Sequence, residues 1–101
     1  TVHRVVRLDV ADGVFENDSD AIRPQWLSRV DLLIKELHKA PSVLRLTYLG
    51  DVESAGLVDD RLETLRDLIE DKWDKVDSYK LVIEQEIFWR SGGPGGGGGL
   101  D

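Results

Sequence analysis

Val43-Leu44-Arg45-Leu46-Thr47-Tyr48-Leu49-Gly50-Asp51 is the segment whose reading decides the fold. Leu44, Leu46 and Tyr48 alternate with Val43, Arg45 and Thr47, the two-residue period of a strand, and Gly50-Asp51 closes it. Helical spacing stands on both sides. Upstream, Trp26, Leu27, Val30, Leu33, Ile34 and Leu37 recur at steps of three and four, after a proline at residue 24. Pro24 suits a first helical turn, where its missing N–H has no partner to lose, and Pro41 ends the segment beyond Lys39. Downstream, Val58, Leu62, Leu65, Ile69 and Val76 trace a second apolar stripe, flanked by Leu68 and Trp73. A strand held between two such helices is the middle of a longer alternating unit.

The outer strands complete it. From Val2 to Val10, Val6, Leu8 and Val10 alternate with Val5, Arg7 and Asp9; from Tyr79 to Arg90, Leu81, Ile83, Ile87 and Trp89 alternate with Val82, Glu84, Glu86 and Phe88. The order β-α-β-α-β predicts an α/β two-layer sandwich, with two helices on one face of a small mixed sheet and some parallel pairing through the crossovers. Trp26, Trp73 and Phe15 belong to the core or its rim. Phe88 and Trp89 point to opposite faces, so one of them is left as an apolar contact for another domain. Asp12-Gly13 signals a turn, and Glu16-Asn17-Asp18-Ser19-Asp20 offers capping side chains to the first helix. Val52 to Asp60 reads as a polar loop or first helical turn.

The whole chain sets further bounds. Its 101 residues suit one domain, expected over 1–90, with 91–101 a flexible tail dominated by glycine. A formal charge of −7 repels polyanions, so nucleic acid and anionic membrane surfaces are disfavoured partners. No stretch approaches the roughly 20 apolar residues of a spanning helix. Cysteine is absent, which excludes disulfides and thiolate metal sites. The chain opens on Thr1 without a basic-then-apolar leader, and reads as a domain taken from a longer protein.

Enzyme chemistry finds little footing. His3 and His38 belong to no ligand or catalytic motif, no glycine-rich loop opens a helix, and the acidic run 16–20 lacks the glycine and terminal glutamate of a calcium loop. No metal or organic cofactor is called for. More informative are Asp51, at the end of the middle strand, and Arg66, about two turns into the next helix. A guanidinium forked onto a carboxylate, with an aspartate taking the ammonium, could grip a zwitterion such as the amino-acid head of diaminopimelate. The same spacing also fits a plain surface salt bridge.

The intervals around these residues resemble the OmpA-like domain family. That family has a phenylalanine, then a serine and a proline before its first long helix, matched here by Phe15, Ser19, Ile22 and Pro24. It later shows a TD pair, an asparagine, then LS and RA; without a gap, Asp51 takes the aspartate, Asp59 the asparagine, Leu62 the leucine and Arg66 the arginine. The match runs from Val5 to Ile69. By this resemblance Asp51 and Arg66 would hold the diaminopimelate head group of a peptidoglycan peptide, with Gly50 and Asp59 as neighbouring contacts. The chain would be a non-catalytic binding module of the periplasm or outer membrane, tethered to neighbouring domains of a longer chain.

Several positions depart from that pattern. The family's G-H-T-D reads Tyr48-Leu49-Gly50-Asp51, a bulky ring replacing a glycine and a glycine replacing the threonine hydroxyl. Asp59 substitutes a carboxylate for a neutral amide, and Glu63 and Asp67 replace a serine and an alanine. Two other readings therefore stand beside the first. In one, the fold persists as a structural or protein-interaction domain of a large surface protein. In the other, Asp51 and Asp59 are the paired acids of a hydrolase.

Overall fold

The computed structural model describes residues 4–76 and 79–90. His3 and the glycine-rich segment 91–101 lie outside the described residues. Five main elements follow in the expected order: β1 (Arg4–Ala11), α1 (Pro24–His38), β2 (Ser42–Gly50), α2 (Ala55–Val76) and β3 (Val82–Trp89). The result is a two-layer α/β sandwich. Its sheet has the order β1-β2-β3, and both pairings are parallel, Val6 opposite Leu44 and Leu44 opposite Ile83. The expected mixed sheet is corrected in that respect. Each link between strands is a helical crossover, which brings the chain back to the starting end of the sheet, so the three described strands run one way.

β2 lies in the middle and shows why its alternation decides the fold. Leu44, Leu46 and Tyr48 are wholly buried under the helices, while Val43, Arg45 and Thr47 on the other face are only half-buried. Against the buried row α1 places Val30, Leu33, Ile34 and Leu37, and α2 places Val58, Leu62, Leu65, Ile69 and Trp73. Burying each such aliphatic side chain contributes on the order of 1.5–3 kcal/mol. Tyr79 closes the far end, donating its hydroxyl to the Leu37 carbonyl at 2.7 Å while its ring meets Trp73 edge-on at 4.8 Å.

Two helix starts differ from expectation. The acidic run does not cap α1, whose N-cap Arg23 is extended and makes no side-chain capping bond. The run instead folds on itself. Glu16 N–H donates to Ala21 O at 2.8 Å, Arg23 N–H donates to Val14 O at 2.9 Å, and the Ser19 hydroxyl accepts from Ala21 N–H at 3.0 Å. Asp18 takes the left-handed turn position, with φ at 52°. α2 starts at Ala55, ahead of its apolar stripe, because the Ser54 hydroxyl accepts the Leu57 N–H at 3.1 Å and caps it. Arg66 therefore lies 11 residues past Ala55, three turns and roughly 16 Å along the axis rather than two turns.

The face of the sheet away from the helices carries rows set by the register. Val5, Val43 and Val82 form one, Ala11, Leu49 and Phe88 another, with Arg7, Arg45, Glu84, Asp9 and Glu86 between. Arg45 pairs with Glu84 at 3.1 Å, and Arg7 with Asp9 at 2.9 Å. Phe88 is the half-exposed member of the final aromatic pair, and Trp89 packs toward the helix layer.

Candidate functional site

Open parallel sheets bind ligands beyond the carboxyl ends of their strands, because the connecting loops and helix starts converge there. In this chain that region is occupied. Tyr48, standing where the resembled family has glycine, is wholly buried. Its hydroxyl donates to Glu53 Oε2 at 2.5 Å and accepts from Arg61 Nη1 at 2.8 Å. Arg61, also without exposed surface, donates from Nε to Ser19 O at 2.8 Å, from Nη1 to Asp12 Oδ1 at 2.9 Å and from Nη2 to Glu16 O at 3.2 Å. Its guanidinium lies 5.0 Å over the Phe15 ring. Glu53 Oε1 accepts the Asp51 N–H at 2.9 Å.

The charges in this network hold one another in place. Burial disfavours ionised Glu53, but the Tyr48 hydroxyl, the backbone N–H groups of Glu53 and Asp51, and the Arg61 charge outweigh it, keeping the carboxyl below its usual range. Burial likewise opposes the Arg61 charge, yet Tyr48 and Asp12 raise its pKa further. The Tyr48 phenol is pushed up to about 12, by burial first and then by its bond to Glu53. One guanidinium thus joins the 12–23 loop, β2 and α2 through satisfied polar groups. This is an internal clamp: each polar atom described in it already has a protein partner.

The residues expected to form a ligand site are distributed around the clamp. Gly50 is buried under Trp89: a Cβ there would stand 2.4 Å from the indole Cε3, so the glycine is a seat for that ring rather than a ligand contact. Asp51 has Arg90 Nη1 at 3.9 Å, and lines an acidic cleft of about 330 Å³ with Asp12, Asn17, Asp18, Val52 and Glu53. Arg66 and Asp59 line a different groove, of about 430 Å³, with Asp60, Glu63, Asp67, Glu70 and Gln85. There Arg66 Nη1 donates to Gln85 Oε1 at 3.5 Å, the long limit of a hydrogen bond. Among the described residues, Asp59 lies with Arg66 in one groove, and Asp51, next to Gly50, lines another cleft. Arg66 stands on the flank of α2 that meets Gln85 of β3, whereas Asp51 faces Asp12, Asn17 and Asp18 of the loop after β1.

Reading the sequence for ligand groups passed over Arg61 and Glu53. A signal for the first was present: Val58, Arg61, Leu62 and Leu65 follow the three- and four-residue steps of a buried stripe, so Arg61 is a charge at a core position. Glu53 carried none, because its burial depends on the turn after β2. His38 is exposed at the end of α1. Among the described residues no group of three or more His, Cys, Asp or Glu side chains is arranged to hold a metal ion. No described helix is long and apolar enough to cross a membrane. Comparison of the chain with protein-family models, curated proteins and solved structures gave no match.

Proposed function

We propose that the chain is a non-catalytic interaction module, resembling OmpA-like domains but with the strand-end ligand pocket converted into packed core. It serves as a structural or protein-interaction unit of a longer, envelope-associated protein, the envelope setting following from the resemblance alone. One observation carries this reading: Tyr48 fills the space beside β2 with a buried ring, and its hydroxyl is bonded to both Glu53 and Arg61. Admitting an amino-acid head group there would require displacing the ring and leaving a buried arginine and glutamate short of partners, which is costly. The hydrolase reading draws no support from the geometry, because Asp51 and Asp59 line separate clefts.

The experiment is a titration of the ¹⁵N-labelled chain with a diaminopimelate-containing muropeptide. A filled pocket predicts no saturable shift at the amides of Asp51 and Arg66 up to millimolar ligand. Saturable shifts at both residues would replace this reading with peptidoglycan binding.

A further inference from the structure

We propose that the outer edge of β3 is a docking strand, on which an extended, basic segment of a partner protein adds to the sheet as a fourth strand. This rests on the reading of the chain as an interaction module, and names its partner's chemistry.

The direction of the backbone groups comes first. Arg90 N–H donates to Gly50 O at 2.8 Å, so Arg90 turns its peptide groups toward β2. Backbone groups alternate along a strand, so those of Glu84, Glu86 and Phe88 also face β2, and those of Ile83, Gln85, Ile87 and Trp89 face outward. Among the described residues β3 pairs with β2 alone. The strand is eight residues long, Val82-Ile83-Glu84-Gln85-Glu86-Ile87-Phe88-Trp89, with neither proline nor lysine within it to blunt the edge.

Acidic side chains flank that edge instead. Lys72 of α2 reaches Asp31 of α1 at 2.7 Å, and Thr64 reaches Asp20 at 3.2 Å, so this flank of α2 faces α1 and its preceding loop. At 100° per residue, Asp59, Glu63, Arg66 and Glu70 fall on the opposite side of the buried stripe, out over β3. The bond from Arg66 to Gln85 marks where helix and strand meet. The groove between them holds Asp59, Asp60, Glu63, Asp67 and Glu70 against the single positive charge of Arg66. On the sheet's other face Glu84 and Glu86 share Arg45, at 3.1 and 3.9 Å, so the acidic excess beside this edge lies in the groove. A second copy of β3 would bring like charges to this edge and be repelled, whereas a segment with Lys or Arg at every second position would put them into the groove. The backbone ladder supplies the docking, and the charge supplies the choice of partner.

The test uses the full chain and a capped peptide of alternating lysine with valine or threonine, about nine residues long to span the strand. Amide hydrogen exchange is followed at Ile83, Gln85 and Ile87, the outward donors. The expected result is slowing by about tenfold or more at those amides, diminishing with added salt, and no slowing with the glutamate counterpart. Gln85→Pro removes one outward donor while sparing the ladder to β2, and should weaken binding by about tenfold. Paired reversal of Glu63→Lys and Asp67→Lys leaves the backbone intact and should weaken it comparably, so the idea stays testable if the proline variant misfolds. Unprotected amides with the lysine peptide, equal protection with the glutamate peptide, or binding indifferent to both variants would overturn the proposal. Protection arising from self-association without peptide would overturn it as well. A muropeptide signal at Asp51 would sink the module reading separately, since the cleft that Asp51 lines includes none of Ile83, Gln85 and Ile87.

Discussion

Replacing Arg61 with methionine tests the internal clamp most severely. Methionine has similar reach and can fill the space of the stem, so the loss falls mainly on polar contacts. Four hydrogen bonds disappear, to Ser19 O, Asp12 Oδ1, Tyr48 Oη and Glu16 O. The bond to Asp12 counts for least, because that carboxylate is largely exposed and water replaces the arginine. The heavier loss is at Glu53, whose side chain is 5% exposed and is left with Asp51 N–H and the Tyr48 hydroxyl but no positive charge. Removing one partner of a buried ion pair costs about 3–5 kcal/mol. A domain of this size has about 5–12 kcal/mol in all, so the variant should lose from about a quarter to the whole of its stability. Urea unfolding should show the midpoint lower by about 2–4 M with the slope unchanged. Adding Glu53→Gln to Arg61→Met should restore about 1–2 kcal/mol by removing the stranded charge. A loss below about 1 kcal/mol for Arg61→Met, or no recovery in the double variant, would refute the claim that this pair holds the loop to the sheet.

Other outcomes follow from the same contacts. Glu53 has a folded pKa below its unfolded value, so its contribution to stability is present above about pH 4.3 and is lost as pH falls through the folded value; acid unfolding of Glu53→Gln should lack that part of the slope. Gly50→Ala should cost about 1–3 kcal/mol and alter tryptophan fluorescence, because the new methyl carbon collides with the Trp89 ring; unchanged emission would contradict the packing. Phe88→Ser, on the open face, should change stability by less than about 0.5 kcal/mol, whereas Leu46→Ala beneath the helices should cost about 2–5 kcal/mol, both read from urea midpoints.

Much of the fold was legible because it depends on periodicity. The two-residue alternation of Leu44, Leu46 and Tyr48, and the stripes of α1 and α2, each bury the face the spacing assigns. Even the division of Phe88 from Trp89 could be read, since strand parity sends them to opposite faces. Parallel pairing throughout was less accessible, because β3 could have entered from either side had its link to α2 been longer. The site was the least legible part. Asp51 and Arg66 carry the right charges, but which cleft each lines depends on the turn after β2 and on the flank of α2 that meets β3, neither of which the spacing displays. Tyr48 and Arg61 joined the core through each other, and a polar pair of that kind is visible only when both partners are placed.

The most direct test of the central claim is NMR observation of the Arg61 Nε–H at neutral pH, with and without millimolar diaminopimelate. The clamp predicts a slowly exchanging proton with nuclear Overhauser contacts to the Phe15 ring, unmoved by the amino acid. A freely exchanging Arg61 proton, or a ligand that shifts it together with Tyr48, would mean that the strand-end space is an open pocket after all.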